Sequence, residues 1–162
     1  MRGNVLWFKL VPIITFFLTS ACTEDLQLKF KKVIVEYNQA VITAYQSGTA
    51  KGLLDIAAEK ESNKIQVLID VKSSNGLVLE SELQNIEMLS VTAVTPTDYS
   101  VRTKERWKYF DRPLAVGASA GQVFIADMQL EYTIQKDNNK WKVLKVKAEK
   151  TEYLEQKPSR KE

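Results

Sequence analysis

A chain of 162 residues, 44% hydrophobic and 27% charged, has the composition of one ordinary globular domain with a core of its own. Its formal charge of +3 is too small to argue for nucleic acid, and the absence of histidine removes the commonest general base and zinc ligand. A single cysteine rules out a disulfide within the chain, and no acids cluster at the spacing of a calcium loop.

The chain opens with Arg2 and Lys9, an apolar run over residues 10–19 and the small residues Ser20 and Ala21 before Cys22, with no acid before Glu24. A basic start, an apolar centre and a small-residue end are the parts of a secretory signal. The run falls short of the roughly 20 apolar residues of a membrane span. Its ending, Leu18-Thr19-Ser20-Ala21-Cys22, resembles the lipobox of bacterial lipoproteins, with Thr19 where that family usually has leucine. The resemblance implies a diacylglyceryl group on Cys22 and cleavage before it. The alternative is an ordinary signal cut near Ala21, which leaves a free thiol. Each buried methylene contributes about 0.8 kcal/mol, so two or more acyl chains (palmitate or similar) hold firmly where one would not. Thr23, not aspartate, follows the cysteine, which leans towards the outer membrane of a Gram-negative envelope. The expected division is a signal over 1–21, a domain over 22–149 and a disordered tail over 150–162. With Arg2 and Lys9 removed, the mature side chains are nearly neutral.

Residues 24–47 carry a helical period, with Phe30, Val33, Ile34, Tyr37, Val41, Ala44 and Tyr45 at steps of three and four. Lys31, Lys32, Glu36, Asn38, Gln39 and Gln46 form the expected polar side. Glu24 and Asp25 suit the N-terminal end, and Ser47-Gly48 the C-terminal one. Thr49 can cap a second, short helix to about Lys60, and Ser62 or Asn63 a third that ends near Lys72. Residues 73–76 break the chain, and 77–82 read as a short connector.

The period then changes to two. The spacing predicts a strand over 83–94 with Leu89, Val91 and Ala93 on one side; Ile86 and Met88, on the other phase, suggest a bulge. A turn at 95–98 leads to a cleanly alternating strand over 99–109. Val101, Thr103, Glu105, Trp107 and Tyr109 face one way; Arg102, Lys104, Arg106 and Lys108 face the other. A loop over 111–121, a strand over 122–135, a hairpin turn over 136–140 and a last strand over 141–149, with a phase slip at Val143, complete the domain. Helices first and antiparallel strands after predict an α+β fold.

The motif Val101, Thr103, Glu105, Trp107, Tyr109, then Tyr132-Thr133-Ile134, then Lys140-Trp141-Lys142-Val143, resembles the IMS-type domain of plastid-division proteins and related bacterial proteins. The wider order resembles the nuclear-transport-factor-two superfamily, the cone shared with SnoaL-like cyclases and ketosteroid isomerase. The resemblance covers roughly residues 29–148. It implies helices on a strongly curved antiparallel sheet and a binding or scaffold module without catalysis.

Glu105 breaks its pattern, because a carboxylate on an apolar strand face is costly unless it is paired or neutral. It is either a pocket acid with Tyr37, Tyr45 or Tyr132 as hydroxyl partners, beside Trp107, or a structural acid held by hydrogen bonds. Arg102, Lys104, Arg106 and Lys108 form a basic stripe. It either meets an anionic partner or is balanced by Asp127, Glu131 or Glu149 on neighbouring strands. Aromatic residues lie on the opposite face, so single-stranded nucleic acid fits poorly. No cofactor, metal ligand set or catalytic residue is assigned. The expected function is a lipid-anchored, non-catalytic envelope module with a protein partner or a second copy of itself. The alternative is a small-molecule binder or isomerase-like enzyme using Glu105.

Overall fold

A computed structural model describes residues 20–119 and 121–157, with side chains between Glu24 and Leu154. Residues 1–19 of the expected signal, the Cys22 side chain and the last five residues lie outside this description. Two α-helices and a short 3-10 turn lead into a four-stranded antiparallel sheet. The elements are α1 (Ser20–Ser47), the turn Lys51–Asp55, α2 (Glu59–Ser74), β1 (Leu77–Ala93), β2 (Asp98–Pro113), β3 (Val123–Asp137) and β4 (Lys140–Lys157). The strands pair in chain order, so β1 and β4 are the edges. The fold is α+β, as the change of period predicts.

Helix α1 buries one stripe, Phe30, Ile34, Tyr37, Val41 and Ala44, against the sheet. Phe30 packs between Tyr99 and Trp141, with ring centroids 4.8 and 5.1 Å away. Gly48, at φ +75, ends the helix with its N–H on the Ala44 carbonyl at 3.0 Å. Because α1 begins at Ser20, Glu24 and Asp25 stand past its first turn and not at its end.

The expected second helix does not form. Only Lys51–Asp55 turns, and the chain then leaves the helical path along the edge of β4 and is extended at Ala58. Val143 donates to the Ile56 carbonyl and Ala58 donates to that of Val143, both at 2.9 Å. These bonds outweigh local helix propensity, because they satisfy backbone groups that the edge would otherwise leave bare. Helix α2 consequently starts at Glu59, and its N-cap residue Ala58 makes no side-chain cap. Ser62 lies inside α2 and donates to the Ala50 carbonyl at 2.9 Å, so it caps nothing.

Residues 77–82 are strand, not connector: Leu77 pairs with Pro113 and Glu82 with Lys108. Register shifts leave Gln84 and Leu89 as extra residues in β1, and Leu144, Glu149 and Leu154 in β4. The bulges at Leu89 and Leu144 match the phase slips in the sequence. Leu89, placed by the sequence on one side with Val91 and Ala93, is an exposed bulge residue, while Ile86, Met88 and Val91 pack on the core. All five bulges lie in edge strands, where they bend the sheet and work against edge-to-edge pairing. The hairpin between β3 and β4 turns on Asn138 and Asn139, both at positive φ, which the short amide side chain tolerates. The tail expected over 150–162 is strand as far as Lys157: Lys150 pairs with Gln129 and Lys157 with Val123.

Candidate functional site: a saturated carboxylate behind an aromatic cleft

Strand alternation carries Glu105 inward, and it is fully buried. Its Oε1 accepts from the hydroxyls of Thr103 and Tyr132, each at 2.8 Å. Its Oε2 accepts from Asn38 Nδ2 at 3.0 Å and from the Trp107 indole N–H at 2.9 Å. Four neutral donors thus serve the carboxylate, and no cation touches it among the described residues. Burial pushes its carboxyl above the ordinary range, and the four hydrogen bonds pull the other way without cancelling the effect. Burial and the neighbouring carboxylate raise the Tyr132 phenol well above its ordinary value.

Of the tyrosines expected around Glu105, only Tyr132 reaches it. Tyr37 donates instead to Glu61 at 3.0 Å. Burial and Glu61 raise its phenol, while burial pushes that of Tyr45 up to about 12. Glu61 is itself buried, and its carboxylate also takes the Lys64 ammonium at 3.2 Å. Asn38 and Glu61 were the residues missed. Both sit on apolar stripes, Asn38 four residues from Ile34 and three from Val41, Glu61 four from Ile65. Spacing could have found them; their polarity put Asn38 on the outer face and left Glu61 unassigned.

Beside the carboxylate, the two helices and the sheet enclose a cleft of about 450 Å³. Its walls include Tyr37, Tyr45, Leu68, Trp107, Tyr109 and Met128. Asn38, Trp107 and Tyr132 also line it, so the partners of Glu105 stand between the acid and the cleft. Past the cleft, Tyr109 stacks on Phe124 at 5.6 Å, and Phe124 meets Tyr153 edge-on at 6.3 Å.

The basic stripe lies on the other face, and each of its cations has an acid on a neighbouring strand or one strand further on. Arg102 pairs with Glu149, Arg106 with Asp127 at 2.7 Å, Lys104 with Asp127 at 3.6 Å and Lys108 with Glu82 at 3.4 Å. Arg106 holds the Asp127 carboxyl below its ordinary range. Glu131, the third acid expected there, takes the Ser100 hydroxyl at 2.8 Å instead. Among the described residues no group of three or more acids and cysteines could hold a metal ion, and no helix is long and apolar enough to cross a membrane.

Two helices over one face of a bulged, open antiparallel sheet define an α+β fold with a cleft beneath its helices. Among solved structures this fold is similar to the intermembrane space region of the chloroplast protein ARC6, with a TM-score of 0.66 over 75% of this chain and 95% of that one. Identity is 12%, so the likeness is one of fold. No protein-family model matches the chain, and no curated protein matches its sequence.

Proposed function

We propose that the chain is an exported, lipid-anchored module of the cell envelope that binds a partner protein and carries out no catalysis. In this reading lipid on Cys22 holds it to a membrane, the mature domain starts at that residue, and its kinship runs through IMS-type domains to the nuclear-transport-factor-two cone. The observation that carries the non-catalytic part is the state of Glu105. An acid poised for proton transfer needs a free site facing its substrate, within hydrogen-bond reach. All four positions around this carboxylate are taken by the protein's own donors, and three of those residues screen it from the cleft. The apolar overhang of Tyr109, Phe124 and Tyr153 offers a surface of the aromatic kind that protein interfaces favour.

Two measurements test this. A photo-crosslinking residue in place of Tyr153 should capture one discrete envelope protein in living cells, and one in place of Lys145 should not. Wild-type chain should incorporate labelled fatty acid and fractionate with membranes, while Cys22→Ser should do neither. Unlabelled wild type overturns the anchor, and identical, non-specific capture from both positions overturns the partner.

A further inference from the structure

We propose that the cleft binds a neutral amphiphile, with an extended apolar body and one uncharged hydrogen-bonding end, as in a long-chain alcohol or monoacylglycerol. This rests on the reading of the chain as an envelope binding module and adds a small molecule, held beneath its helices, to the partner protein.

Size and lining come first. At about 450 Å³ the cleft falls within the roughly 300–1,000 Å³ of small-molecule sites, and its walls are mainly apolar and aromatic. The charged groups in the wall are spent. Lys64 donates both to Glu61 at 3.2 Å and to the Val146 carbonyl at 3.0 Å, and Glu61 also takes Tyr37. A charged headgroup would give up its water here and meet no unpaired counter-charge.

Two hydroxyls are not spent. Ser81 Oγ, in the β1 wall, is buried without a hydrogen-bond partner among the described residues. Buried polar groups are ordinarily satisfied, so an orphan hydroxyl marks a place for a ligand atom. Tyr45, in the α1 wall, is half-buried, its hydroxyl bonds to no described residue, and it stays protonated at neutral pH. A hydroxyl or ester oxygen can bond to either without bringing charge.

Shape argues for an extended body. Ser81 pairs with Tyr109 across the strands, and from Tyr109 the aromatic surface continues over Phe124 to Tyr153, which is 59% exposed. A compact ligand would fill the cleft and leave that track bare. An alkyl chain can lie along both.

The test uses the membrane-extracted chain reconstituted in phosphatidylcholine nanodiscs, with hexadecanol carrying a photoreactive diazirine as probe. Labelled peptides should come from α1 around Tyr45 and from β2 around Trp107 and Tyr109. Unlabelled hexadecanol should compete, and hexadecanoate and hexadecylammonium should compete markedly less well. Tyr45→Phe and Ser81→Ala should each cut labelling about three- to tenfold, the worth of one hydrogen bond, with melting temperatures unchanged. Labelling unaffected by both variants overturns the proposal, as does stronger competition by either charged probe. If hexadecanol fails to label while the crosslinker at Tyr153 still captures its protein, the amphiphile is wrong and the module reading stands. If both fail, the module reading falls with it.

Discussion

At the scale of single residues, Glu105 is the most informative position in the chain. Its carboxylate ties β2 to α1 through Asn38 and to β3 through Tyr132. Removing it takes the acceptor from Asn38, Thr103 and the half-buried Trp107 indole, while Tyr132 keeps the Asn38 side-chain carbonyl at 3.2 Å, and a buried group left unsatisfied costs about 1–3 kcal/mol. Glutamine keeps the shape and can still accept from two of them, while the hydroxyls of Thr103 and Tyr132 can rotate to accept from its amide. Glu105→Ala should therefore lower stability by about 1–3 kcal/mol more than Glu105→Gln in denaturant titrations. If both variants melt like wild type but lose their ligand, the acid serves the cleft and not the fold. Its titration gives a second prediction. Burial raises the folded-state pKa above the unfolded one. A group raised in this way contributes fully below the ordinary carboxylate range and loses that contribution as pH rises through the folded value. Between about pH 4 and pH 7, the wild type should thus lose stability relative to Glu105→Gln. A constant difference in melting temperature across that range would refute the assignment.

At the scale of elements, the open edge of β4 decides the N-terminal half. Ile56 and Ala58 cover it at Val143, and α2 continues the cover at Val146. There the Val146 N–H reaches Glu61 at 3.4 Å, and the Val146 carbonyl takes Lys64 at 3.0 Å. Glu61 therefore joins α1, α2 and β4 through Tyr37, Lys64 and Val146. Glu61→Ala should cost about 1–3 kcal/mol and speed amide exchange at Val146. Glu82 makes a pair of a different kind, with Lys108 on the exposed face. Exposed ion pairs contribute about 0–1 kcal/mol, so Glu82→Ala should change the melt little. Equal losses in the two variants would show that the edge contact does not matter.

At the scale of the whole molecule, the strands outreach the helices. Helix α2, with 16 residues, spans roughly 24 Å at 1.5 Å per residue, whereas the 18 residues of β4 span roughly 60 Å at 3.3 Å per residue. The uncovered end of the sheet is where Tyr109, Phe124 and Tyr153 meet. A chain ending after Glu149 would lose the partners of β3 from Val123 to Gln129. That truncation should abolish or severely weaken the cooperative melt. A melt identical to that of the full chain would mean that residues 150–157 behave as the frayed tail their charge suggests.

The order of helices before strands, the central alternation of β2 and β3, the inward turn of Glu105 and two of the five bulges were legible in the sequence. Each is a periodic property, set by which side chains a 3.6-fold or twofold repeat places on one face. Three features needed the tertiary structure. The segment 56–58 has helical composition but leaves the helical path and is extended at Ala58, because β4 offers it backbone bonds. Residues 150–157 have no apolar period of their own and are strand because β3 supplies hydrogen-bond partners along its length. Asn38 and Glu61 are polar at apolar positions, and they are buried because donors and acceptors from other elements meet them there. In all three the deciding partner lies far off in the chain, and a local repeat carries no information about it.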